Sequence, residues 1–183
     1  MFSYRVVAKW IDMFCQVFGL CKVKEGDTAA ILSESQSRRL NVHLAELALL
    51  RLGARVFHVQ LPTPPQTNSI PIRSTGASTA IQELEPVVTA LASSTIVVDC
   101  TIEGMLHAPE LPVILKGGAR LMMVSNEHPV VLERLVPDPA LEPKVKLGAK
   151  MLSHARQMTV QSNAGTNLTV DVRDTRGAGV WGY

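Results

Sequence analysis

Short apolar runs alternate with longer segments of helical periodicity along most of this sequence. Apolar, β-branched runs are typical of strands buried on both faces of a parallel sheet, whereas apolar positions three and four residues apart indicate helices. These patterns predict strands at residues 28–32, 55–61, 95–98, 119–124 and 158–161. They predict helices at residues 4–18, 78–93, 109–116, 129–135 and 139–157, and one from a cap at Ser35 or Ser37 to about residue 52.

The alternation of strands and helices predicts an α/β fold in residues 1–161. We expect three layers: a doubly wound, mostly parallel five-stranded sheet of the Rossmann or flavodoxin-like type, covered by helices on both faces. The preferred strand order is 2-1-3-4-5, by analogy with flavodoxin-like sheets. Pro86 lies inside the third predicted helix, which it should kink or divide. Residues 62–75 contain four of the eleven prolines and form a long loop, which is either a lid or a plain surface loop.

The last stretch has a different pattern. Leu168, Val170 and Val172 alternate with polar residues, which is the signature of a half-exposed antiparallel strand. A single alternating strand is not stable alone, so a partner sheet is implied. We therefore interpret residues 162–183 as the start of a second domain that is mostly missing.

Composition narrows the class of protein. Hydrophobic residues make up 46% of the 183 positions and charged residues 19%, an ordinary globular balance. The net charge of +2 and the lack of a basic run with interleaved aromatics argue against a nucleic-acid partner. No apolar run has the roughly 18 residues that a membrane span needs. Three cysteines without a Cys-x-x-Cys pair predict reduced thiols and a cytoplasmic location.

The sequence contains few motifs that indicate a particular chemistry. Gly177, Gly179 and Gly182 match G-x-G-x-x-G, but only one residue follows, so no helix is left to bind a pyrophosphate. No P-loop and no G-x-S-x-G elbow is present. None of the five histidines forms a metal-binding motif; these are His43, His58, His107, His128 and His154. The alternative is a metal site assembled from distant loops by His107 and His128, with Glu34, Asp99, Glu103 and Glu127 as the candidate carboxylates.

His107 is the best single candidate for chemistry. It lies in a polar, glycine-containing loop after the strand at residues 95–98, and ligands of open α/β sheets bind at the carboxyl ends of strands. An imidazole can take and give a proton near neutral pH. The alternative is an ordinary surface histidine. His43 and His58 fall in regular elements and are interpreted as structural, and His128 precedes Pro129 at a helix start, where a capping role is expected.

Four segments resemble a known family. Residues 96–101 (IVVDCT), 105–110 (MLHAPE), 114–120 (ILKGGAR) and 161–166 (QSNAGT) are similar to the N-terminal half of 2,5-dihydroxypyridine 5,6-dioxygenases, non-haem Fe(II) enzymes that open a pyridine ring in nicotinate breakdown. The architecture is shared with thermophilic metalloaminopeptidases, whose Gly-Thr-Asp-Leu turn resembles residues 165–168. Asn167 replaces the aspartate of that turn, which disfavours the peptidase interpretation.

The resemblance implies that substrate handling and metal binding belong to different domains. In these families the metal ligands come from a C-terminal domain, so this chain is expected to bind no iron and to be inactive alone. It would be a fragment, a proteolytic product or a truncated reading frame. His107 matches a histidine that handles protons of the substrate, a small aromatic, and a homo-oligomer is implied. The alternatives are the equivalent domain of a metalloaminopeptidase and a non-enzymatic module that binds a small acid or a partner protein.

Overall fold

A computed structural model describes residues 5–65 and 75–181 of the chain. The strands are β1 (Thr28–Glu34), β2 (Arg55–Leu61), β3 (Ile96–Cys100), β4 (Arg120–Met123), β5 (Gln157–Gln161) and β6 (Asn167–Asp171). The helices are α1 (Ala8–Leu20), α2 (Arg39–Arg51), α3 (Glu85–Ala92), α4 (Leu111–Lys116), α5 (Pro129–Leu132) and α6 (Glu142–His154), with a 3₁₀ turn at Pro139–Leu141. Two compact units divide the chain, Met1–Leu135 and Val136–Tyr183.

The first unit contains a parallel four-stranded sheet in the order β2-β1-β3-β4. Thr28 pairs with Arg55 on one side of β1, and Ala29 pairs with Ile96 on the other. The predicted α/β class and the order of these four strands are confirmed. Because the strands are parallel, all four carboxyl ends lie at one edge of the sheet, and the loops that follow them meet there.

Helices cover both faces of this sheet. Alternate β1 residues point to opposite faces. Ala30 and Leu32 share a core cluster with Val88 and Leu91 of α3 and with Ile114 of α4. On the other face α2 packs against β1 and β2, and α1 packs against α2. The central strands β1 and β3 are buried at every position except Thr28, which explains why they appear in the sequence as largely apolar runs.

The prediction of a fifth parallel strand was wrong. Strand β5 belongs to the second unit, where it pairs antiparallel with β6 in a separate two-stranded sheet. Its sequence, QMTVQ, alternates polar and apolar residues as β6 does, and every residue of β5 is exposed. The partner that β6 requires is therefore β5, and helix α6 and β5 lie in the unit Val136–Tyr183, although the sequence placed them in a domain ending at residue 161.

Two helix starts also differ from expectation. Helix α3 begins at Glu85, with Pro86 in its first turn, and residues 78–84 are not helical. Proline fits the first turn of a helix but excludes a preceding helical turn by clashing with the carbonyl four residues earlier. Helix α2 begins after Arg38 without a side-chain cap, because Ser37 is engaged elsewhere. Tyr4 and most of the predicted loop at residues 62–75 lie outside the described residues. No helix in the described ranges is long and apolar enough to span a bilayer.

Candidate functional site

His107 lies in the loop that leaves the carboxyl end of β3, at the sheet edge where the sequence predicted it. Its side chain is exposed, while the residues on either side of the loop's middle, Met105 and Ala108, are buried. The loop is thus anchored by buried apolar groups and presents the imidazole to solvent. The position is that of a ligand-facing group in an open α/β sheet.

Asp99 fixes the first half of this loop. Its Oδ1 accepts hydrogen bonds from the backbone N–H and the hydroxyl of Thr101, at 2.9 and 2.7 Å, and its Oδ2 accepts one from Met105 N–H at 2.7 Å. The carboxyl group is fully buried, and burial raises its pKa, although the hydrogen bonds from Thr101 and Met105 oppose that shift. Asp99, one of the candidate carboxylates, therefore organises the backbone of the loop that carries His107.

A second segment, residues 75–78, runs alongside the second half of the loop. Gly76 N–H donates to the Glu103 carbonyl at 2.6 Å, Ser78 N–H donates to the Gly104 carbonyl at 2.8 Å, and His107 N–H donates to the Gly76 carbonyl. The Glu103 carboxylate also accepts from the N–H and the hydroxyl of Thr75, both at 2.9 Å. We call residues 75–78 the strap. Together with Asp99, the strap holds the His107 backbone from two sides.

The strap is tied to the end of β1. Ser78, which is 1% exposed, donates its hydroxyl to Glu34 Oε1 at 3.1 Å, and Glu34 is 2% exposed. Ser37 links the same strand end to β3, because its hydroxyl accepts from Glu34 N–H and donates to the Cys100 carbonyl, both at 2.7 Å. The sequence indicated Glu34 as a candidate carboxylate for a metal site, but not as a partner of Ser78. The signal for Glu34 was a carboxylate at the end of an apolar run.

His128 has the capping role that its position suggested. It is 6% exposed, and its Nδ1 accepts from Val130 N–H at 3.3 Å at the start of α5. Its ring meets Trp10 edge to face, with centroids 5.4 Å apart. These contacts give His128 a role in stability.

Replacing His128 with alanine is expected to cost about 1–2 kcal/mol of unfolding free energy, because both the cap and the aromatic contact are lost. His128→Asn retains a good capping residue and should recover part of that loss. Urea unfolding followed by tryptophan fluorescence would measure both variants. Equal losses in the two variants would contradict a capping role.

The remaining candidates do not form a metal site. His58 Nε2 lies 3.4 Å from Glu46 Oε1, and both side chains, with His43, line an open cavity of about 340 Å³ between α2 and β2. Within residues 5–65 and 75–181, no three histidine, cysteine or carboxylate side chains are placed to hold a metal ion. Burial raises the pKa of the Cys100 thiol far above its usual range, which makes this thiol a poor nucleophile.

The glycines of the rejected G-x-G-x-x-G motif have a packing role. A β-carbon at Gly177 would overlap the Ala149 carbonyl oxygen of α6, and one at Gly179 would lie 2.7 Å from Val145 Cγ1. The C-terminal segment can therefore lie against α6 only where side chains are absent. Gly182 lies outside the described residues.

Comparisons with known proteins match this chain to part of one kind of enzyme. A family model of 2,5-dihydroxypyridine 5,6-dioxygenase (NicX) matches residues 9–183. A 2,5-dihydroxypyridine 5,6-dioxygenase of Pseudomonas putida KT2440 is 30% identical over 178 residues, covering 96% of this chain and 50% of the relative. The solved structure of 2,5-dihydroxypyridine dioxygenase from that organism matches with a TM-score of 0.76 and 29% identity, covering 93% of this chain and 48% of that one. This chain thus spans about half the length of the relatives it matches.

Proposed function

This chain belongs to the 2,5-dihydroxypyridine 5,6-dioxygenase family, and on that premise we propose that it supplies the substrate-side α/β domain of a non-haem Fe(II) ring-cleaving dioxygenase. The substrate is a hydroxypyridine-like aromatic of the kind met in nicotinate degradation. The observation that carries the proposal is the exposed His107 at the carboxyl edge of the sheet, on a loop held by both Asp99 and the strap.

In this proposal His107 moves a proton of the substrate. The neutral imidazole accepts the proton of a ring hydroxyl and returns it later in the reaction, as a general base and then a general acid. The backbone hydrogen bond from His107 to Gly76 limits the positions that the ring can reach. Fixed geometry matters because proton transfer requires a heavy-atom separation of about 2.6–3.2 Å.

The iron ligands are placed in other polypeptide. Non-haem Fe(II) is held by histidine and carboxylate groups, and the described residues bring no such group of three together. We assign the ligands to a segment equivalent to the half of the Pseudomonas relative that this chain does not cover. The chain alone is then expected to show no turnover.

Reassembly with that uncovered half tests the proposal. The chain would be co-produced with the half of the Pseudomonas relative that it does not cover, and Fe(II)-dependent oxygen uptake would be measured with 2,5-dihydroxypyridine. We call this preparation the reassembled enzyme. Uptake is expected from the reassembled enzyme and not from the chain alone, and the relative's own two halves, co-produced, show that reassembly works.

Three outcomes would contradict the proposal. One is oxygen uptake by the chain alone, and another is an inactive reassembled enzyme beside an active control pair. The third is hydrolysis of aminoacyl anilides by the reassembled enzyme without oxygen uptake, which would indicate an aminopeptidase.

A further inference from the structure

We infer that Gly76 is a positioning residue for His107, because only a residue without a β-carbon leaves the imidazole room in its present place. The inference rests on the proposed function of His107 for its catalytic meaning. The position of the imidazole can be tested on the chain itself, without measuring turnover.

Gly76 has a backbone conformation that favours glycine. Gly76 has a φ of +72°, in the left-handed region that other residues adopt at a cost. This conformation allows its N–H to reach the Glu103 carbonyl while its own carbonyl accepts from His107 N–H. These two hydrogen bonds attach the strap to the loop at Glu103 and at His107 itself.

Little space is left between Gly76 and the imidazole of His107. A β-carbon built on Gly76 would lie 3.1 Å from Cδ2 of His107 and 3.3 Å from the Leu106 β-carbon. Such distances are shorter than ordinary van der Waals contact, so a neighbour must move. The exposed His107 imidazole can shift by rotation about its side-chain bonds, whereas the Leu106 β-carbon is fixed to the backbone. The imidazole is therefore the group that gives way.

The strap is held firmly, so it does not move away from an added β-carbon in place of the imidazole. Ser78 is buried and bonded through its hydroxyl to the buried Glu34, and its N–H is bonded to the Gly104 carbonyl. With the strap tied to β1 and to the loop, a new methyl group at position 76 presses on the ring.

The test is an imidazole ¹H–¹³C NMR spectrum of the chain, which contains five histidines. The His107 cross-peak would be assigned from its loss in His107→Gln. In Gly76→Ala we expect this peak to move by more than its linewidth, with the other four histidine peaks unchanged. An unmoved His107 peak would overturn the inference.

Two further variants separate space from backbone strain. Asparagine tolerates the left-handed region better than alanine but still carries a β-carbon, so Gly76→Asn should also displace the His107 peak. Gly26 has a φ of +83°, and a β-carbon added there would have nothing within 4 Å, so Gly26→Ala should leave that peak in place. Displacement in Gly76→Ala but not in Gly76→Asn would show that strain, rather than space, is responsible, and would overturn the inference. Because no substrate is involved, failure of this test is separate from failure of the proposed dioxygenase function.

Discussion

Replacing Asp99 with alanine is expected to lower the free energy of unfolding by about 3 kcal/mol, because three donors lose a buried acceptor at a cost of roughly 1 kcal/mol or more each. The donors are the N–H and hydroxyl of Thr101 and the N–H of Met105. Removing a buried carboxylate also relieves its desolvation, which offsets part of the loss. Urea unfolding of the chain and of the Asp99→Ala variant would measure the difference.

Thr101→Val is the matched control for this prediction. It removes the hydroxyl donor but keeps the carboxylate and both backbone donors, so the expected loss is only about 1–2 kcal/mol. The hydroxyl also accepts from Gly104 N–H at 3.1 Å, which adds to that smaller loss. If Asp99→Ala cost no more than Thr101→Val, Asp99 would not be the group that organises the loop.

The stability contributed by Asp99 should also depend on pH in a stated direction. Its pKa is raised from 3.8 in the folded chain, first of all by burial, so the folded state binds more protons than the unfolded state between 3.8 and the raised value. The contribution is then greatest below pH 3.8 and falls as pH rises through the raised pKa. Relative to Asp99→Asn, which cannot titrate there, the wild-type chain should gain stability on acidification. A relative loss would show that the hydrogen bonds outweigh burial.

The central strands were predictable because they are buried on both faces. In β1 and β3 every position but the first of β1 is buried, so apolar residues follow one another and the pattern has one interpretation. Strand β5 has the alternation of a half-exposed strand, yet its position after a helix suggested a further parallel strand. The two assignments differ in the strand that pairs with β5. Its partner is β6, about ten residues later, and the periodicity within β5 carries no information about that partner.

The sequence predicted where His107 lies, but not which residues hold its loop in place. The loop after a buried strand placed His107 at the carboxyl edge. The strap is made of contacts between residues about 28 positions apart in an irregular segment, and no periodicity relates such residues. Asp99 interrupts an apolar run and was considered as a candidate carboxylate. Its partners are the N–H and the hydroxyl of Thr101 and the N–H of Met105, and such bonds to nearby backbone are a turn interaction that aspartate favours.

Replacing His107 should remove most of the activity and leave the fold intact. In the reassembled enzyme, His107→Ala is expected to lower kcat by about 10²–10⁴-fold, the usual contribution of a positioned acid or base. The side chain is exposed, so unfolding free energy should change by less than about 0.5 kcal/mol. Oxygen uptake and urea unfolding of the same preparations would give the two numbers.

A loss of turnover has to be traced to the imidazole at position 107 rather than to the removal of any histidine. His154 is exposed and lies at the end of α6, so His154→Ala is the matched control and should leave kcat unchanged. If His107→Ala retained normal turnover, the proton would have to move through another group, and the loop of β3 would serve only to shape the sheet edge. If both variants lost turnover equally, the effect would reflect reassembly of the halves. Only a loss confined to His107, with unfolding unchanged, fits an imidazole that acts on the substrate.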